Sequence, residues 1–125
     1  MITQAQADQL AEAWLQAWNS RDLARIMAHY ADAIDFCSPF IVNLLQRPDG
    51  RLLGKPAVQA YFAQGLAKFP DLHFTLLQAL PGVGSLTLLY RSVNDLLAAE
   101  TMEIDADGKI CRVLAHYCAT AERSY

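Results

Sequence analysis

At Pro70 the hydrophobic pattern of this chain changes period, and that change decides most of what it can fold into. Before it, apolar residues recur three and four apart, the spacing that gathers them on one face of a helix. After it they alternate, as in half-buried strands. Residues 71–80, 84–93, 95–105 and 109–119 read as four strands. Their links, Pro81-Gly82, Val93-Asn94-Asp95 and Ala106-Asp107-Gly108, are short enough for antiparallel hairpins. Helices followed by a meander make an α+β order, in which one-faced helices must cover one side of the sheet. A sheet that curls around three such helices encloses a cone with an opening at one end.

The helical half can be read in more detail. Thr3 and Gln6 have capping-box spacing, and behind them Ala7, Leu10, Ala11, Trp14, Ala17 and Trp18 form one apolar face. Asn19-Ser20 is expected to stop this helix and to cap a second one that buries Leu23, Ile26, Met27 and Tyr30. Residues 33–38 alternate briefly as a first strand, which Pro39 ends. Residues 40–53 read as a flap or short helix followed by a strand, around a turn at Pro48-Asp49-Gly50. Gly54-Lys55-Pro56 starts a third helix with a buried face of Val58, Tyr61, Phe62, Leu66 and Phe69.

Length and charge narrow the function classes. A chain of 125 residues suits one domain, 1–125, and 54% hydrophobic residues are enough for a core. Net charge is −3 with Lys and Arg scattered, so neither nucleic acid nor a lipid surface is an expected partner. The polar N-terminus does not read as a signal peptide, and no apolar run approaches the roughly 20 residues of a membrane span. Cys37, Cys111 and Cys118, an odd set without metal-type spacing, are expected to be small buried thiols in a cytoplasmic protein. No histidine has a partner at metal-ligand spacing, and no motif asks for a metal or cofactor. His73 and His116 point outward by parity, and His29, once protonated, would favour the end of the second helix.

Splitting the strands by parity isolates one residue. Leu86, Leu88 and Tyr90 belong to the helix-facing side, as do Cys111, Val113, Ala115 and Tyr117. Strand 95–105 sends Leu96, Ala98, Glu100, Met102 and Ile104 the same way, so a carboxylic acid is expected among apolar neighbours. Desolvation penalises its charged form and should raise its pKa. The opposite face carries Leu77, Leu89, Val93, Leu97, Ala99 and Leu114, a patch too apolar to stay wholly in water. A homodimer packed sheet on sheet is the expected partner arrangement.

The stretches "AEAWLQAWNSRDLARIMAHYADAIDFCSP", "GKPAVQAYF" and "ETMEIDADGKICRVLAHY", in this order and spacing, resemble the SnoaL-like branch of the nuclear transport factor 2 and ketosteroid isomerase superfamily. The likeness runs through nearly the whole chain except residues 40–53. It implies a cone-shaped α+β barrel with a deep apolar pocket, commonly dimeric, but no single activity. It also implies site roles. The steroid isomerases' helix-one tyrosine falls on Trp14, their general base on Ser38, and their protonated pocket aspartate on Glu100. The acidic residue that related epoxide hydrolases carry on the last strand falls on Ala115.

The expected site follows. Glu100 is the candidate acid or base; Trp14, Trp18, Ser38, Tyr90, Met102, Val113, Ala115 and Tyr117 are candidate ligand contacts. The expected ligand is small and mostly apolar with a carbonyl or hydroxyl, and the expected chemistry is proton transfer beside a carbonyl or a dehydration. Two other readings stand beside it. Large aromatics at helical spacing also serve simply as core, and a carboxyl can be held by tyrosines without reacting. The domain would then bind a ligand without catalysis, or bind another protein through its apolar sheet face.

Overall fold

Thr3 opens the structure as the sequence requires: its hydroxyl accepts from the Gln6 N–H, and the Gln6 side chain accepts from the Thr3 N–H. In the computed structural model, which describes residues 1–119, this capping box begins α1 (Gln4–Ser20). Then follow α2 (Leu23–Met27), β1 (Tyr30–Cys37), α3 (Pro39–Leu45), β2 (Arg51–Leu53) and α4 (Lys55–Lys68). The meander β3 (Thr75–Pro81), β4 (Ser85–Arg91), β5 (Leu97–Ile104) and β6 (Ile110–Cys118) completes the described chain.

The strands form one open, curved sheet in the order β2-β1-β6-β5-β4-β3. Every pairing is antiparallel except β1 with β6, so the sheet is mixed. That parallel pair joins the first strand to the last of the described strands. Ala7, Ala11, Trp14, Ala17 and Trp18 give α1 a buried stripe against the sheet, and Val58, Tyr61, Phe62 and Leu66 do the same for α4. Among the described residues no helix is long and apolar enough to cross a membrane.

Four expectations change. The fold uses four α-helices rather than three, because Pro39 begins a helix as well as ending a strand: it occupies the first turn of α3 behind the Ser38 cap. Tyr30 fits the apolar spacing of α2 but is the first residue of β1. The cap of α2 is Asp22, whose carboxylate accepts from the Arg25 N–H; α1 runs through Ser20 and ends on Arg21 in a left-handed conformation. Finally, Cys111 does not face the core. Glu103 pairs with Arg112 and Ile104 with Ile110, so Cys111 is the extra residue of a bulge and its Sγ–H donates to the Glu103 carbonyl. Ile110 takes its inward place.

The thiols and imidazoles differ in detail too. Cys37 and Cys111 are half-buried and Cys118 is exposed, all three free. His29 is held below its ordinary pKa by burial and by the charges of Lys109 and Arg25, which works against a protonated role at the end of α2.

Candidate functional site

The site grows from three adjacent strands. On their inner face Tyr90, Ala98 and Tyr117 form one cross-strand row, and Leu88, Glu100 and Ala115 form the next. Ala98 presents only a methyl group between the two tyrosines, and their hydroxyls lie close enough to influence each other's ionisation. Tyr90 donates to Glu100 Oε1 at 2.8 Å. Flanked by Leu88 and by another methyl at Ala115, Glu100 is 4% exposed. Burial pushes its carboxyl up to about 7, against the opposing pull of the Tyr90 hydrogen bond. The same burial raises Tyr90 and Tyr117 well above the ordinary phenol range, with the nearby Glu100 charge adding to it.

More hydroxyls gather past the sheet. The Ser38 hydroxyl lies near those of Tyr117 and of Tyr61 on α4. Ser38 meanwhile caps α3 by accepting from the Phe40 N–H at 3.2 Å. One buried serine thus stands where α3, α4 and β6 meet, beside the phenols that lead toward the carboxyl.

Glu100 and the tyrosines border a cavity of about 70 Å³, several times the ~10–15 Å³ that a single water needs. Its walls are largely aromatic. Trp14 and Trp18 come from α1, Phe36 from β1, Phe40 and Leu44 from α3, and Tyr61, Phe62, Gly65 and Phe69 from α4. Leu72 and Phe74 close it beside β3, and Ser92 and Val93 beside the β4–β5 turn. Trp14 packs within 5.1 Å of the Tyr90 ring and 5.7 Å of Phe74, measured between ring centres. Leu44, Gly65, Phe69, Val93 and Tyr117 keep partial exposure and mark where the cavity opens. Among its described lining residues Glu100 is the single formal charge, with no lysine, arginine or histidine.

Two side chains fix the wall. Asn19 donates to the Phe74 carbonyl at 2.9 Å and accepts from the Phe74 N–H at 2.7 Å, pinning that ring's backbone to the end of α1. Arg21 donates to the Leu66 and Phe69 carbonyls at 2.7 and 2.8 Å, capping the open end of α4. The sequence marked Asn19 only as a helix stop and did not single out Arg21, because a polar residue at a helix end has many possible partners.

Of the residues expected at the site, the structure brings Glu100, Trp14, Trp18, Tyr90 and Tyr117 together around the cavity. Ser38, Met102, Val113 and Ala115 are buried but lie outside its lining. Ser38 is occupied as the cap of α3. Met102 borders a separate small void beneath α1 with Leu86, Leu88 and Ile104. Val113 is fully enclosed core, and Ala115 serves as the small neighbour of Glu100. Val93, expected on the outer face, sits instead in the turn at the cavity mouth. The α3 and α4 walls went unassigned, although the Tyr61, Phe62, Phe69 stripe was visible as a buried face.

The roles implied by resemblance can be checked atom by atom. The Trp14 Nε1–H donates to the Tyr30 hydroxyl at 3.1 Å, inside the core and away from the cavity. Trp18 Nε1 lies beside the same hydroxyl without reaching hydrogen-bond geometry and is left unpartnered among the described residues. Of the three steroid-isomerase positions, only Glu100 presents an ionisable group.

Comparison with known proteins agrees with this architecture. Residues 11–113 match the SnoaL-like domain family. A SnoaL-like protein of unknown function from Burkholderia thailandensis shares 42% identity over 94% of this chain and 98% of its own, with a TM-score of 0.91. More distant in sequence are a candidate isomerase of the SnoaL-like family from Agrobacterium tumefaciens (18% identity, 92% and 99% coverage, TM-score 0.74) and a candidate ketosteroid isomerase from Kribbella flavida (17%, 98% and 84%, TM-score 0.73). These two share the fold alone. Among curated proteins none matches. With its mixed six-stranded sheet, its covering helices and a family match across most of its length, this chain belongs to the SnoaL-like family.

Proposed function

We propose that the aromatic cavity binds a small, mostly apolar molecule bearing a carbonyl or hydroxyl, and that Glu100 exchanges a proton with it. The observation that carries this reading is the placement of Glu100: one carboxyl, hydrogen-bonded to Tyr90, at the border of an otherwise uncharged hollow. A pKa near 7 leaves both protonation states available at neutral pH, the condition for general acid–base work. Tyr90 and Tyr117 would orient the ligand oxygen, and Trp14 and Trp18 would form walls. Proton transfer beside a carbonyl, or loss of water from a β-hydroxy carbonyl compound, fits these groups. Three free thiols suit a reducing, cytoplasmic setting.

The test is a panel of small cyclic enones and β-hydroxyketones assayed against wild type and Glu100→Gln. The reading expects the glutamine variant to keep binding and lose turnover; undiminished turnover would overturn it.

A second reading has its own support. The Trp14 N–H is engaged by Tyr30 and the Ser38 hydroxyl caps α3, so a base and an oxyanion donor are missing at those two positions. Ligand binding without turnover in the same panel would favour this binding domain. In either case the apolar outer face of β3, β4, β5 and β6 is proposed as a homodimer interface, since Leu77 of β3 and Leu114 of β6 stand 50% and 37% exposed.

A further inference from the structure

Gly65 is out of place in α4. It lies inside the helix, with no left-handed backbone angle that would require glycine, and glycine is a poor interior helix residue. Its neighbours along the same face, at three and four residues' distance, are Phe62, Tyr61 and Phe69, all large rings in the cavity wall. Gly65 is part of that wall too, yet a Cβ built there would meet nothing within 4 Å. The aromatic stripe of α4 therefore has a gap one side chain wide, and Gly65 keeps partial exposure where Leu44 and Val93 also do.

From this geometry we infer that Gly65 is the entrance and size filter of the cavity: its missing side chain is the opening through which a slender apolar molecule reaches the interior. Arg21 makes the opening a fixed one, because its two hydrogen bonds hold the carbonyls of Leu66 and Phe69 immediately beyond it. The α4 backbone is thus restrained from moving aside for a larger side chain. What such a molecule then does rests on the binding reading above. Access itself does not, so the two can fail separately.

The chain carries its own probes of access: its two tryptophans, Trp14 and Trp18, both in the wall and only 2% and 8% exposed. Acrylamide, a small neutral amide, quenches tryptophan by contact. Its Stern–Volmer constant is to be measured on wild type, Gly65→Ala, Gly65→Leu and, as control, Ala67→Leu, an exposed position on the same helix. Gly65→Leu is expected to lower the constant roughly threefold by filling the gap in a close-packed wall, with Gly65→Ala between it and wild type and Ala67→Leu unchanged. Gly65→Ala is also expected to raise the Tm by about 3 °C, since alanine favours a helix interior and the site has room for it. Should the leucine variant not fold, Gly65→Val takes its place with the same expected order. Wild-type quenching in the filled variants, or an equal fall in Ala67→Leu, would overturn the assignment.

Discussion

Glu100 and Tyr90 lie on adjacent strands, and the phenol donates to the carboxyl at 2.8 Å with both side chains buried. The bond stabilises the ionised form, and burial opposes it more strongly. Removing the phenol takes away the weaker influence and leaves the stronger. Tyr90→Phe is therefore expected to raise the Glu100 pKa further above about 7, as followed by carbon-detected NMR titration of the carboxyl. A fall would mean that the hydroxyl serves something other than the carboxylate.

The same carboxyl shapes stability against pH. Its folded pKa of about 7 exceeds its ordinary value near 4.5, so between those limits the native state holds more protons than the unfolded one. Stability must then decline as pH rises, by a total on the order of 3 kcal/mol, and level off above pH 7. This is opposite in sign to the usual salt-bridged carboxylate. Glu100→Gln removes the titration, so its stability advantage over wild type is expected to grow from pH 5 to pH 8 in urea unfolding series. Parallel curves would show that the carboxyl is hydrated in the native state.

How much of this was legible depends on the kind of interaction. The Thr3–Gln6 box and the inward parity of Leu86, Leu88, Tyr90 and Glu100 were readable because they are local and periodic. The inward reading of Cys111 failed, while Val113 and Ala115 kept theirs, because the bulge falls at Cys111 and hands the inward place to Ile110; a bulge leaves no periodic trace. Tyr30 was ambiguous because it satisfies the helical spacing of Ile26 and Met27 while beginning a strand. The cavity walls were hardest. Phe62 and Phe69 read as buried, but whether a buried ring fills space or borders it depends on helix-to-sheet distance, which one chain's pattern does not encode. Ser38 shows the limit from the other side: its matching position suggested chemistry, and its surroundings made it a cap.

Arg21 is expected to be a structural residue out of proportion to its surface position. Its guanidinium satisfies two carbonyls at the C-terminal end of α4, Leu66 and Phe69, from the end of α1. Charge-assisted bonds of this type are each worth more than neutral ones. Arg21→Ala should cost about 2 kcal/mol and lower the Tm by roughly 5–8 °C, measured by calorimetry. Arg21→Lys should recover only part of the loss, because one ammonium lacks the rigid fork that spans both oxygens. Full rescue by lysine would mean that charge at the helix end, rather than the two-point bond, is what matters.

The outer sheet face makes the last prediction. Register places Leu89, Ala99 and His116 in one cross-strand row and Thr87, Thr101 and Leu114 in the next, the two threonine hydroxyls 2.9 Å apart. The following row, Ser85, Glu103 and Arg112, is where the Arg112–Glu103 ion pair begins a charged rim. An uncharged centre with a charged rim is the composition of a protein interface. A standard interface of about 800 Å² per partner would cover a modest share of the 6719 Å² surface. Light scattering is expected to give twice the 13.9 kDa chain mass, and Leu89→Arg combined with Leu114→Glu to give one. Because both substitutions lie on the face away from the cavity, acrylamide quenching of Trp14 and Trp18 should be the same in the resulting monomer. A wild-type monomer at high micromolar concentration would remove the homodimer, and the exposed leucines would then need a different partner.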